Sequence, residues 1–198
     1  MQRLVLSLAL IGLALPVAGN TKTEIVSGKP HMEFECPANT PLRLHVRSGE
    51  ILIVGTDDTK VTVDLAGKNV DKIQDVKGRF LVAKNVAEFH LTGGPKSDLQ
   101  IIIHVPKNSD ITARIFAGDV SVHQVEGNKD LELKAGQLTI GVEKPEDYGD
   151  VDMSVNAGDL DAEMFGDSKS GLFRTVSRHG EGKYRLRAHV GTGQLSIR

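Results

Sequence analysis

The chain has 198 residues, of which 25% are charged, 39% hydrophobic and 4% aromatic, a length and balance that fit one folded unit. Twenty-four Lys and Arg against 26 Asp and Glu leave a net charge of −2, which removes the whole-chain attraction that non-specific nucleic-acid binding needs. The single cysteine excludes an internal disulfide, a Cys-rich zinc site and an iron–sulfur cluster.

At the N-terminus, Arg3 precedes an apolar run from Leu4 to Leu15, followed by the small residues Ala18 and Gly19. One cation, a short apolar stretch and small residues form the three-part layout of a secretory signal peptide, so residues 1–19 are predicted to be removed after Ala18 or Gly19. The run is shorter than the roughly 20 residues that span a bilayer. Cys36 lies too far downstream to be a lipid-anchored N-terminus. What remains, residues 20–198, is expected to be one all-β domain of an exported protein (periplasmic, cell-envelope or extracellular) with no transmembrane segment. Without Arg3 it carries 23 basic and 26 acidic residues.

Along that domain, period-two alternation recurs, as in Val61, Val63, Leu65 and in Leu99, Ile101, Ile103, Val105. Such alternation reads as half-buried strands. Residues 67–84 alternate more weakly and carry scattered charges, which predicts a looser coil or a surface excursion. Pro106 and the polar run to Asp110 mark a turn.

A more specific pattern is a short box: a small residue, Gly, then Asp, Glu or Gln, then an aliphatic residue. It occurs at Gly49, Gly118, Gly136, Gly158 and Gly193. Around each box the alternation slips by one residue. Ile111, Ala113, Ile115 and Ala117 would face inward before Gly118, whereas Val120 and Val122 do so after it. A one-residue slip normally turns a strand inside out, so a bend must absorb it, and Gly tolerates the positive φ that such a bend requires. The box is therefore a corner between two short strands. Glycines 118, 136 and 158 lie 18 and 22 residues apart, and a period near 20 suggests a solenoid-like stack of short strands with Gly corners. The alternative is an ordinary β-sandwich.

The stretch Leu99–Pro106, then Ile111–Arg114, then Ala117-Gly118-Asp119-Val120-Ser121-Val122 and two further boxes resembles the bacterial putative-adhesin domain of unknown function. The resemblance runs from about Leu42 to Arg198. It implies an exported, solenoid-like all-β domain of the cell envelope and carries no catalytic residues over. Gln137, Gln194 and Glu50 stand where the family has Asp, which argues against chemistry needing a carboxylate at every corner.

Candidate chemistry is sparse. Asp159 and Asp161 flank Leu160 on one face and could form the acid–base pair of a polysaccharide-processing enzyme, but a raised carboxyl needs burial or a like charge beside it. The acidic stretch from Glu143 to Asp167 has neither EF-hand nor Gly-rich nonapeptide spacing for calcium. If coils stack in order, it would abut the basic segment from Lys169 to Arg198, with cross-strand pairs fixing register; the alternative is that the basic segment is a patch for an anionic glycan or lipid headgroup. The seven histidines show no ligand spacing, Cys36 has no arranged His, and the absence of Trp speaks against an aromatic carbohydrate platform. No cofactor is implied.

The leading expectation is a non-catalytic protein whose outward corner residues Asp119, Gln137, Asp159, Asp161 and Gln194, with Ser121, Thr139 and Ser196, form polar rows for a cell-surface glycan or envelope protein. A third expectation is an assembly module pairing an exposed terminal strand, Gln194–Arg198, with another chain.

Overall fold

The computed structural model describes residues 21–67, 70–95 and 98–198; the predicted signal peptide lies outside them. The protein is nearly all β. Its strands are β1 (Lys22–Ser27), β2 (His31–Glu35), β3 (Leu42–Thr56), β4 (Lys60–Gly67), β5 (Lys77–Ala83) and β6 (Val86–Thr92). They continue as β7 (Leu99–Pro106), β8 (Ile111–His123), β9 (Lys129–Ile140), β10 (Tyr148–Ala162), β11 (Asp167–His179) and β12 (Tyr184–Ile197). Among the described residues all twelve strands belong to one open sheet, not a closed barrel.

Five long strands, in the spatial order β3, β8, β9, β12, β10, run parallel and carry the five glycine boxes. Their glycines stand in register: Gly49 beside Gly118, Gly118 beside Gly136, Gly136 beside Gly193, and Gly193 beside Gly158. Each has a φ between 128° and 147°. A Cβ on Gly136 would lie 2.0 Å from the carbonyl oxygen of Gly118, and one on Gly193 would lie 1.9 Å from that of Gly136. Conformation and space therefore both demand glycine.

Bending at this line folds the sheet over itself. The arms before the corner bury Leu42, Leu44 and Val46 or their equivalents; the arms after it bury Ile51 and Ile53 or theirs. Phe34 on β2, in the layer of second arms, stacks on Phe80 of β5, in the layer of first arms, with ring centroids 5.1 Å apart. The two layers thus face each other across one apolar interior. Folding also brings the end of β8 back to the start of its neighbour, so residues 124–128 suffice to reach β9, where flat parallel strands need a crossover of about a dozen residues or more.

The stack departs from a simple solenoid. β10 does not lie on β9; β11 returns antiparallel along the outer side of β10, and β12 then enters between β9 and β10. The 35-residue interval from Gly158 to Gly193 is this return strand, not two further coils. Gly171, with φ 115°, pairs with Gly158 and carries the corner into β11. Its chain direction is reversed, so no box precedes it. Toward the other end, β6 pairs with the first arm of β3 and β7 with its second, so one bent rung is split between two strands.

Several expectations are corrected by these pairings. Residues 67–84 are no surface excursion: they include β5, which pairs with β1 and β6, and bury Ile73, Val76 and Phe80. The C-terminal strand is not exposed for assembly, because β12 is hydrogen-bonded on both sides. Strand order differs from chain order, yet the acidic β10 still lies between the basic β11 and β12. Arg185 Nε donates to Asp150 at 2.8 Å, and His179 Nδ1 sits 3.1 Å from the same carboxylate. Pairs this exposed contribute about 0–1 kcal/mol each, so register rests mainly on the glycine line and the buried alternation. The small box residue does not face inward: Ala135 and Thr192 are exposed and Ala117 half-buried, since the turn begins before the glycine. Cys36 is a buried free thiol, and burial pushes its pKa up.

Gly136→Ala is expected to destabilise the fold by roughly 3 kcal/mol or more in urea titrations, since backbone must shift to admit the methyl group. Gly166→Ala, where a Cβ meets nothing within 4 Å, should cost about 1 kcal/mol from its φ alone. Equal losses would contradict the contact argument.

Candidate binding surface

Because the parallel strands share one register at the corner, residues equally distant from the glycine form rows across them, about 4.8 Å apart. Immediately after the glycine the row reads Gln100, Glu50, Asp119, Gln137, Gln194, Asp159, Ser170. Four of the five expected surface residues, Asp119, Gln137, Gln194 and Asp159, thus come together in one line. Asp119, Gln137 and Asp159 are exposed and Gln194 is half-buried. Gln100 Nε2 donates to Glu50 Oε2 at 2.8 Å, extending the polar line onto β7. Asp161 stands two residues on, in the parallel row of Leu52, Ser121, Thr139 and Ser196. Ser196 is 3% exposed, and Arg198 Nε donates to its hydroxyl at 3.4 Å, so Ser196 is not part of an open row as expected. The carboxylates of Asp159 and Asp161 project from the outer side of a bend.

A second row went unread in the sequence. Two residues before each glycine the ladder skips a pair, leaving Arg47, Phe116, Lys134, Gly191, Asn156 and Phe173 in line across β3, β8, β9, β12, β10 and β11. Phe116 is 61% exposed and Phe173 79%. The signal available was the box itself: a bulky side chain one step upstream of the small residue cannot enter the core when the chain is already turning. Farther back along the first arms lie His90, His45, Arg114, Glu132, His189 and Ser154. The His45 and His90 rings stack at 4.4 Å. Burial, with His90 beside it, holds the His45 pKa below the ordinary histidine range. Arg114 reaches Asp130 at 3.0 Å and Glu132 at 3.3 Å.

Inside the sheet the largest departure from expectation is Lys129, 1% exposed. It occupies the inward slot two residues before Leu131, so its phase marked it as buried. Its Nζ donates to the Tyr148 hydroxyl and lies 4.4 Å from that ring's centroid. Burial pushes its ammonium down to about 8, and burial likewise raises the Tyr148 phenol. Tyr148 also lines a cavity of about 240 Å³ with Tyr184, Glu126, Glu143 and Asp147. Among the described residues no group of three His, Cys, Asp or Glu side chains converges as a metal site would require, and no helix is long and apolar enough to cross a membrane.

No protein-family profile and no curated protein matches this chain. Two solved structures are similar to it. A "putative cell adhesion protein" from Clostridium sporogenes is 15% identical, with 90% of this chain and 98% of that one covered and a TM-score of 0.49. A "putative adhesin" from Bacteroides fragilis is 6% identical, with 88% and 97% covered and a TM-score of 0.30.

A lysine whose folded-state pKa lies near 8 against about 10.4 unfolded binds fewer protons in the native state between those values, so stability rises with pH across that window. Relative to Lys129→Met, the wild type should gain up to about 3 kcal/mol between pH 7 and pH 10.5 in paired urea titrations. Parallel profiles would show that the amine is not desolvated as described.

Proposed function

We propose that this chain is a non-catalytic, exported display protein that presents the polar row at its glycine corner to a cell-surface glycan or an envelope protein. The observation that supports this reading is the register itself. Five separate segments deliver Glu50, Asp119, Gln137, Gln194 and Asp159 to one line on the outer side of a rigid bend. Equal spacing at about 4.8 Å suits many weak, repeated contacts rather than one enclosed ligand. An acid–base reaction would need one carboxyl held protonated in an enclosed setting. Asp159 is exposed and Asp161 half-buried, and neither carboxylate lies in an enclosed setting, which favours display over chemistry.

Residues 20–198 form the displayed domain in this reading, and residues 1–19 direct its export. Simultaneous Asp119→Ala, Gln194→Ala and Asp159→Ala replacement should reduce retention on bacterial envelope preparations or glycan arrays by at least tenfold while leaving the thermal transition within a few degrees. Undiminished retention of the folded triple variant would remove the row from the account.

A further inference from the structure

We infer that the row preceding the corner is a binding track for a linear anionic polysaccharide, laid across the strands with sugar rings against Phe116 and Phe173 and acidic groups against Arg47 and Lys134. This goes beyond display by the acidic row, which lies on the other side of the glycine line.

Phe116 and Phe173 are held on the backbone of a folded sheet and exposed by 61% and 79%, so neither ring serves the core. Phe173 also has a φ of 52°, a conformation that bulky side chains adopt only against a steric penalty. Exposure together with strain points to a use outside folding. Arg47 and Lys134 flank Phe116 on the two neighbouring strands, and neither has an acidic partner among the described residues. Glu132, the carboxylate closest in sequence to Lys134, is engaged by Arg114 at 3.3 Å, and Glu50, the closest to Arg47, lies past the glycine and accepts from Gln100 at 2.8 Å. Arg47, Phe116 and Lys134 rim a shallow depression of about 310 Å³ that also includes His45, His90, Arg114 and the Arg114-paired Glu132.

Spacing then selects the ligand. Arg47 and Lys134 are two strand steps apart, about 10 Å, and a pyranose ring is close to one step in length. A chain with an acidic group on alternate sugars would place those groups on the two cations and the intervening ring on Phe116. Past Lys134 the track crosses Gly191 and the exposed amide of Asn156 and ends on Phe173, about four steps from Phe116. Leu172, 64% exposed, broadens that end. A membrane-seeking surface would gather its apolar groups in one patch, whereas here a cation and an amide separate the two rings.

Calorimetric titration of the folded protein with size-defined sulfated oligosaccharides and with oligogalacturonates tests the inference and separates sulfate from carboxylate as the preferred anion. At least one series should bind, with affinity falling as salt rises. The Arg47→Ala, Lys134→Ala double variant should bind at least tenfold more weakly and lose most of that salt dependence. Phe116→Ala with Phe173→Ala should weaken binding about fivefold and retain it. Asp119→Asn with Asp159→Asn should bind as well as or better than wild type, since it removes repelling charge. No binding to either series, equal affinity in all variants, or capture by anionic lipid vesicles in preference to the saccharides would overturn the inference. If the saccharides fail but envelope retention still depends on Asp119 and Asp159, the display reading stands without this ligand.

Discussion

The whole architecture rests on a backbone contact: along the bend, the carbonyl oxygen of one corner residue occupies the place where the next strand's Cβ would be. With separations of 1.8 to 2.0 Å from an added Cβ at Gly118, Gly136, Gly158 and Gly193, no side chain larger than hydrogen fits without moving main chain. This packing lets parallel strands bend along a common line, and the common line closes the two layers over one apolar interior. Hydrophobic burial supplies the driving force, but the glycine line decides which residues it acts on. A slip of one position would expose Ile51, Val120, Leu138, Leu195 and Leu160 together, so register is strongly enforced.

The same bend divides chemistry that is adjacent in sequence. Phe116 and Asp119 are three residues apart, yet they belong to rows on opposite sides of the corner. In the two rows that flank the glycine, Arg47, Phe116, Lys134 and Phe173 stand on one side and Glu50, Asp119, Gln137, Gln194 and Asp159 on the other. A surface that would be a mixture of charges on a flat sheet becomes two tracks of different character. That separation, rather than any single residue, is what the display and saccharide-binding readings draw on.

Much of the corner was legible in the sequence because it is local: the phase break and its glycine lie within one short segment, and both are visible in the alternation. Strand order was not, since nothing in residues 141–183 says that a later strand will enter between β9 and β10. Gly171 escaped because an antiparallel strand meets the corner in reverse, with Leu172 and Phe173 where the box residues would be. The split rung of β6 and β7 escaped because its arms belong to two separate strands. Lys129 was readable in principle, as its spacing to Leu131 and Leu133 places it inward, but a lysine in that slot is easily taken for a strand end. Asp119, Gln137, Gln194 and Asp159 fall in one row because each follows its glycine directly; the row of Phe116 and Phe173 required knowing that pairing skips one residue before the turn.

Cysteine cross-linking reads the corner register directly. Gln137 and Gln194 stand opposite each other on adjacent strands, at a spacing within the roughly 4.4–6.8 Å Cα range of disulfides, whereas Gln137 and Asp159 are separated by a whole strand. In a Cys36→Ala background, Gln137→Cys with Gln194→Cys should form an intramolecular disulfide under mild oxidation, and Gln137→Cys with Asp159→Cys should remain reduced. Efficient bridging of the second pair and not the first would contradict the inserted strand and the shared glycine line.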